Sequence, residues 1–228
     1  MSKVRLLHNV PLFAGLSDDE LEALADSLGR RTFAKGMIIF HQGSHGQNLY
    51  LIESGKVRIF LLSESGQEIS VNIYGPGDVF GELTLLDGLP RSAGAMAMEK
   101  TVTLTLHRDD FLRHLESYPR MARSILEVLS ARVRYTTDDA EGLAFLDVYG
   151  RVAAKLLELA DRYGMEKDGG EIEIELRLTQ AELAGWVGAS RESVNKVLGT
   201  FRDQGLIEVE GKQISILNQR RLRRRISY

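Results

Sequence analysis

The spacing of apolar residues changes near residue 108, from a two-residue period to a helical one, and this change restricts the fold more than any other feature. A first helix is predicted over residues 17–28, where Ser17 and Glu20 have the spacing of a capping box. Over residues 31–107, apolar and polar residues alternate, as in Val57, Ile59 and Leu61, and glycines separate the runs. A two-residue period indicates short strands joined by tight turns, and therefore a β sandwich or roll over residues 31–107. After residue 108, apolar residues return every three or four positions, which predicts helices. We therefore expect an α+β chain with a sheet-rich N-terminal part and a helical C-terminal part.

A heptad pattern lies in the long helical stretch that follows the strands. Its apolar seam has members separated alternately by three and four positions, namely Leu126, Leu129, Val133, Thr136, Ala140 and Leu143. A period of 3.5 residues favours a seam between two helices, so this segment is predicted to be a dimerisation helix in a homodimer. The alternative is that the same face packs on the chain's own core. Residues 145–147 then form an expected hinge, in which Asp147 can cap the next helix.

Composition excludes several kinds of site. The 228 residues include no cysteine, so disulfides, thiolate metal sites and cysteine nucleophiles are impossible within them. The net charge of −3 argues neither for nor against nucleic-acid binding, which needs only a local basic patch. No apolar run is long enough to span a membrane, and the first residues lack the pattern of a signal peptide. The expected location is therefore the cytoplasm.

Residues 80–93 contain the first group of side chains with recognisable chemistry. Gly81 allows a ligand to approach the backbone closely, and a helical turn over residues 81–86, which includes Leu83, would offer free N–H groups to an anion. Glu82 could accept a hydrogen bond from a sugar hydroxyl. Arg91 has the planar fork of donors that suits a phosphate, and Ser92 adds a hydroxyl. Taken singly, Glu82 could instead serve the helix dipole, and Arg91 could be a surface arginine.

A second group of residues has the spacing of a helix-turn-helix. Thr179 and Glu182 form a capping box that begins one helix with Gln180, Gly188 suits the turn, and Ser190 can cap the next helix. The exposed face of that second helix carries four polar side chains able to reach base edges, Arg191, Glu192, Asn195 and Lys196. The alternative is an ordinary solvated helix face. Two alternating strands around Gly211 are a plausible wing.

The chain ends in a short basic cluster, Arg220, Arg221, Arg223, Arg224 and Arg225. These arginines could contact phosphates of a nucleic acid. A solvated end of the chain explains them equally well, and the sequence leaves the choice open.

Three stretches together resemble the cyclic AMP receptor protein/fumarate–nitrate regulator superfamily of bacterial transcription regulators, and most closely its cyclic AMP receptor branch. They are FGELTLL with PRSA, LAFLDVYGRVA at the hinge, and LTQAELAGWVGASRESVNKVL. The resemblance covers almost the full length. It implies a cyclic-nucleotide-binding, jelly-roll-like β-roll over residues 1–117, a dimerisation helix and hinge over 118–146, and a winged helix-turn-helix over 147–228.

The resemblance also implies roles for individual residues. Glu82 would meet the ribose hydroxyl of cyclic AMP, with Arg91 and Ser92 on the cyclic phosphate. Thr136 and Thr137 fall where the family places its adenine contacts, one from each subunit. A threonine that bonds its own helix carbonyl is the alternative for Thr136.

The same resemblance implies double-stranded DNA and RNA polymerase as partners. The family's base-reading positions fall on Arg191, Glu192 and Lys196. Where some members have arginine, Lys196 keeps the charge but loses the two-pronged geometry.

Other classes of protein fit the sequence less well. An enzyme would need a nucleophile–base pair or a metal-ligand spacing, and neither is present. The segment His107-Arg108-Asp109-Asp110 looks like part of a kinase catalytic loop but lacks the motifs that accompany it. The histidines follow no pattern of haem ligation, and the missing cysteines exclude the family's iron–sulfur branch. A regulator of the same fold that answers another ligand, or none, stays open.

Overall fold

The structure is a computed structural model that describes residues 3–64, 66, 68–167 and 170–226. The chain divides into two compact units, of which the first ends at Arg134 and the second begins at Tyr135. The boundary lies inside one continuous helix. The three-part division with boundaries at 117 and 146 therefore stays a prediction, and each unit is described separately.

The predicted strands of the N-terminal unit are confirmed. They are β1 (Gly29–Phe33), β2 (Ile38–Phe40), β3 (Asn48–Ser54), β4 (Val57–Leu62), β5 (Glu68–Tyr74), β6 (Val79–Phe80), β7 (Gly94–Ala97) and β8 (Thr101–His107). They form two antiparallel four-stranded sheets, in the orders β1-β8-β3-β6 and β2-β7-β4-β5. One apolar cluster draws residues from both sheets, including Ile52 and Val57, so the sheets pack face to face.

Four short helices pack against this β structure. They are α1 (Lys3–Leu7), α2 (Asp18–Asp26), α3 (Leu83–Asp87) and α4 (Arg108–Ser117). Ser17 and Glu20 form the predicted capping box at the start of α2. Leu21 and Leu24 of that helix are buried in a second apolar cluster with Leu49 and Leu51 of β3. This cluster fixes the helices against one sheet.

Helix α5 (Pro119–Phe145) is the long helix that the heptad pattern predicts. Its first turns are buried at Met121 and Ile125, in the core of the N-terminal unit. Further on, the seam is open to solvent in the single chain, with Leu126, Val133 and Leu143 at least 55% exposed. Packing on the chain's own core thus accounts for the start of the helix but not for most of its seam.

The second unit contains the predicted helix-turn-helix and wing. Its elements are α6 (Val148–Tyr163), β9 (Gly164–Glu166), β10 (Ile172–Ile174), α7 (Gln180–Val187), α8 (Arg191–Asp203), β11 (Ile207–Glu210), β12 (Gln213–Ile216) and α9 (Gln219–Arg223). Asp147 caps α6 through the Gly150 N–H, as predicted. The strands form one antiparallel sheet in the order β11-β12-β10-β9. No helix in the described part of the chain is both long and apolar enough to cross a membrane.

Candidate ligand pocket and DNA-binding surface

The turn between β6 and α3 is built by Gly81 and Glu82. Gly81 has a φ of +80°, which L side chains rarely adopt and which cannot belong to a right-handed helix. Helix α3 therefore begins at Leu83, two residues after the start of the predicted turn 81–86, and Glu82 is its N-cap residue. Glu82 is only 3% exposed, and its carboxylate makes no capping bond to the helix backbone. A buried carboxylate in this position needs a partner from elsewhere in the chain.

Arg91 lies against the turn formed by Gly81 and Glu82. It is only 4% exposed, so it is not a surface arginine. Its Nη1 donates to the Gly81 carbonyl at 2.5 Å and its Nη2 to the Asn48 carbonyl at 2.6 Å. The Nε atom is buried and has no hydrogen-bond partner among the described residues. Arg91 is thus a buried cation whose two hydrogen-bond partners are neutral carbonyls and whose Nε donor is unused. An anionic ligand would supply the missing negative charge and an acceptor.

The surroundings of Arg91 leave it little freedom. Its guanidinium carbon lies 4.2 Å from the centre of the Phe40 ring, a cation–π contact. A Cβ atom at Gly81 would come within 2.6 Å of Nη1, and a Cβ at Gly46 would overlap the guanidinium. Burial lowers the pKa of Arg91 below its ordinary value, although Tyr50 and Glu82 act in the opposite direction. The arginine is therefore held in one place by packing as well as by hydrogen bonds.

Arg132 of α5 is the partner of Glu82, and the sequence analysis missed it. Its Nη1 donates to Glu82 Oε1 at 2.5 Å, its Nη2 donates to the Val79 carbonyl, and its guanidinium carbon lies 5.1 Å from the centre of the Tyr74 ring. Burial alone would lower the pKa of Arg132, but Glu82 and Tyr74 raise it above its ordinary value. No local sequence pattern marks Arg132, because its partner Glu82 lies 50 positions away in the chain.

The remaining residues predicted to bind the ligand lie in more open positions. Leu83 is 41% exposed, and Ser92 is also exposed. Thr136 and Thr137 are exposed on the part of α5 that belongs to the second unit. The structure thus groups Gly81, Glu82 and Arg91 tightly. The ligand roles of Ser92 and of the two threonines stay predictions.

The helix-turn-helix has the predicted caps and turn. The Thr179 hydroxyl accepts from the Glu182 N–H, and the Thr179 N–H donates to Glu182 Oε2 at 2.7 Å, which completes the capping box of α7. Gly188 ends α7 with a φ of +58°. Ser190 caps α8 by accepting from the Ser193 N–H at 3.1 Å. These local bonds fix where each helix begins, and thereby which side chains project from the first turn of α8.

The first two turns of α8 present the predicted polar face. Arg191, Glu192, Asn195 and Lys196 are all exposed. Gln180, the first residue of α7, donates from Nε2 to Asn195 Oδ1 at 3.0 Å. A cavity of about 450 Å³ lies beside this face, lined by Leu178, Thr179, Gln180, Ala181, Arg191, Gly211 and Lys212. The wing turn and the two helices therefore share one open, partly cationic surface.

Arg151 of α6 braces the turn of the helix-turn-helix and was also missed. Its Nη1 donates to the Leu146 carbonyl at 2.7 Å, in the hinge, and its Nε donates to the Val187 carbonyl at 2.6 Å. These carbonyls lie at the ends of helices, where backbone acceptors lack intrahelical partners. One side chain thus connects the hinge to the end of α7.

A buried polar network binds the end of α5 to α6 within the second unit. Lys155, only 7% exposed, donates to Glu158 Oε2 at 2.5 Å and to the Tyr135 hydroxyl at 2.9 Å, and Asp139 lies 3.5 Å away. Burial raises the pKa of Tyr135 to about 12, although Lys155 opposes the shift. Burial would lower the pKa of Lys155, but Glu158 and Tyr135 raise it above its ordinary value. The network therefore joins the last turns of α5 to α6 within the second unit.

Comparisons with known proteins agree with this architecture. A cyclic nucleotide-binding domain matches residues 30–118, and a Crp-like helix-turn-helix domain matches residues 150–225. The CRP-like cAMP-activated global transcriptional regulator of Mycobacterium tuberculosis is 38% identical over 96% of this chain and 98% of that protein.

Two solved structures are also similar. The Thermus thermophilus catabolite activator protein is 34% identical with a TM-score of 0.55, over 95% of this chain and 98% of its own. The c-di-GMP responsive global regulator CLP of Xanthomonas campestris is 25% identical with a TM-score of 0.76, over 88% of this chain and 99% of its own.

A cyclic-nucleotide-binding domain, a long helix and a Crp-like helix-turn-helix together define a DNA-binding transcription regulator and not an enzyme. The chain belongs to the cyclic AMP receptor protein/fumarate–nitrate regulator superfamily, as its motifs predicted. In the described part of the chain, no group of three or more His, Asp or Glu side chains could hold a metal ion.

Proposed function

We propose that this chain is a homodimeric transcription regulator that binds cyclic AMP and, in response, a palindromic DNA operator. The observation that carries the proposal is a pair of buried charged side chains at the turn between β6 and α3. Glu82 belongs to that turn, and Arg91 donates to its Gly81 carbonyl. Burying charge is unfavourable unless partners compensate it, and Arg91 has only neutral acceptors and an unused Nε. A cyclic phosphate would supply the missing anion, and a ribose hydroxyl would supply a donor to the carboxylate.

Each residue then has a chemical task toward the ligand. Arg91 donates to the cyclic phosphate through its guanidinium, and Ser92 adds its hydroxyl. Gly81 and Leu83 bring backbone N–H groups to the ligand where no side chain obstructs it. Thr136 and Thr137 contact the adenine, one from each subunit of the dimer.

A second candidate ligand class follows from one relative. The Xanthomonas campestris regulator is described as responsive to c-di-GMP. That molecule carries phosphodiesters as cyclic AMP does, so the buried guanidinium of Arg91 would serve either. A regulator of the same fold that answers such a ligand, or none, is the alternative to cyclic AMP.

The proposed base contacts come from the first two turns of α8. Arg191 donates to guanine, Glu192 accepts from a cytosine amino group, and Asn195 and Lys196 add further contacts. Thr179, Gln180 and Ser190 stand at the helix starts, where they would face the phosphates. RNA polymerase is the expected protein partner, and a DNA-bound role places the chain in the cytoplasm.

Calorimetric titration of the purified protein with cyclic AMP, cyclic GMP and c-di-GMP tests the ligand. We expect one cyclic AMP per subunit, and at least a tenfold loss of affinity in Arg91→Leu, because each charge-assisted hydrogen bond contributes about 1.5–3 kcal/mol. Arg31→Leu, at an exposed position of β1, is the matched control and should bind like wild type.

Two results would contradict the proposal. Unchanged cyclic AMP binding by a folded Arg91→Leu protein would exclude this pocket as the site. Tighter binding of c-di-GMP than of cyclic AMP by the wild type would favour the alternative ligand. Circular dichroism of each variant separates loss of binding from loss of fold.

A further inference from the structure

The hydrogen bond between Gln180 and Asn195 joins the two helices of the helix-turn-helix on their outer surface. Gln180 Nε2 donates to Asn195 Oδ1 at 3.0 Å, although the residues are 15 positions apart. Asn195 is exposed and stands four residues after Arg191, so both side chains project from the same face of α8. Gln180 also lines the open cavity beside Arg191 and Lys212. The pair therefore belongs to the surface that is proposed to meet DNA.

The direction of this bond determines what Asn195 can offer to a base. An asparagine amide has one carbonyl oxygen that accepts and an NH₂ group that donates twice. Free asparagine reads adenine with both groups at once, since adenine presents a donor beside an acceptor in the major groove. Here Gln180 donates to that oxygen and thereby holds it toward α7. The NH₂ group is then the part of the amide turned away from Gln180, and it can only donate.

We infer that Gln180 and Asn195 act as one specificity-determining unit, in which Asn195 donates to a keto base and Gln180 positions it. Guanine presents two acceptors side by side in the major groove and thymine presents an oxygen acceptor. Adenine places an amino donor beside its N7 acceptor, where it would oppose the NH₂ group of Asn195, and cytosine presents only an amino donor. Each half-site should therefore carry guanine or thymine at one position, separate from the base pair that Arg191 reads. This inference rests on the proposed DNA-binding role of α8.

A purely structural role explains the pair poorly. The bond lies at the protein surface, where a neutral hydrogen bond largely replaces bonds to water and adds little to folding stability. Its main effect is to restrict the rotamers of Asn195 before DNA arrives, which lowers the entropy lost on binding. Base preference is therefore the readout to follow, because a structural role would not change it.

Selection of bound sites from a random duplex pool, with the full-length protein and cyclic AMP, tests the inference. Asn195→Ala should lose the preference at one position per half-site, with about a tenfold loss of affinity for the wild-type consensus. Asn195→Asp presents oxygens instead of NH₂, so its preference at that position should move to cytosine or adenine. Gln180→Ala frees Oδ1, so adenine should become acceptable at the same position. Gln204→Ala, at the far end of α8, is the control and should select the wild-type consensus.

The outcomes separate this inference from the proposed function. If wild type yields a consensus that the Asn195 and Gln180 variants all reproduce, Asn195 reads no base and only this inference is wrong. If Gln180→Ala matches wild type while Asn195→Ala does not, the positioning role of Gln180 is wrong. If wild type yields no consensus, with or without cyclic AMP, the proposed function is wrong and the inference fails with it. Equal melting temperatures of the variants confirm that fold is not the cause.

Discussion

Glu82 illustrates how one side chain can depend on a residue 50 positions away. Its carboxylate is almost without solvent, and an ionised carboxylate in such a place is stable only beside a cation or several donors. Arg132 meets that need while also donating to the Val79 carbonyl. The ion pair therefore attaches α5 to the turn that is proposed to bind the ribose.

Replacing Arg132 by leucine should destabilise the N-terminal unit by about 3 kcal/mol, because the buried Glu82 loses its cation. Urea unfolding of the ligand-free protein, followed by circular dichroism, measures the loss. Arg113→Leu is the control, since its ion pair with Asp110 joins side chains that are 65% and 29% exposed, and it should cost less than about 1 kcal/mol. Equal losses in the two variants would show that the Glu82–Arg132 pair contributes no more than a surface pair.

At the scale of residues, prediction succeeded where the cause was local. The capping boxes at Ser17 and Thr179 involve partners three residues apart, and both are confirmed. Arg132 and Arg151 bond to partners that only the folded chain brings near, so no local pattern marks them. The start of α3 was misplaced for a local reason, since the pattern does not reveal the positive φ of Gly81.

At the scale of elements, α5 has different surroundings along its length. Its first turns lie in the apolar core, while Leu126 and Val133 are 65% and 66% exposed in the single chain. Apolar side chains at heptad positions with such exposure are typical of a surface that a second helix covers. The heptad spacing could be read from the sequence. The break between α4 and α5 could not be placed from that periodicity, although Pro119 suits the first turn of a helix.

Val133→Glu should convert the proposed dimer to a monomer, because it places a charge in the centre of the apolar seam. Sedimentation velocity at micromolar concentration measures the change. Ala131→Glu adds the same charge at an exposed position of α5 outside the seam, and it should stay dimeric. A dimeric Val133→Glu protein, or a monomeric wild type, would contradict the proposed seam.

At the scale of the whole molecule, a two-fold dimer implies two copies of α8 and a near-palindromic operator, with half-sites separated by about one helical turn, ~34 Å. Within each second unit, the basic tail lies away from the groove-reading end of α8. Arg225 donates to Gln204, the C-cap residue of α8, whereas Arg191 begins that helix. Base reading and any phosphate contact by the tail are therefore separable.

Arg191→Ala should cost about 1–3 kcal/mol per half-site and relax the preference at one guanine. Binding measured on matched and mismatched duplexes over a range of salt concentrations checks this. The comparison is a variant with Arg223 and Arg224 replaced by glutamine, which should keep the base preference of wild type. The slope of the logarithm of the binding constant against the logarithm of the salt concentration separates the two roles of the tail. A slope lowered by about one per arginine would indicate phosphate contacts, and an unchanged slope would indicate a solvated end. An unchanged consensus in Arg191→Ala would show that α8 is wrongly assigned as the reading helix.

The fit of Arg91 against two glycines also constrains the order in which this pocket can change over generations. A methyl group at Gly46 would occupy the space of the guanidinium, and a methyl group at Gly81 would press on Nη1. Alanine at Gly46 is therefore open to descendants of this chain only after Arg91 has been replaced by something smaller, whereas the positive φ of Gly81 disfavours alanine whatever residue stands at position 91. A lineage that abandons an anionic ligand must lose the arginine first, and Gly46 can then change. In the reverse order, alanine at position 46 would appear while Arg91 is still present, and it would displace the guanidinium from its place.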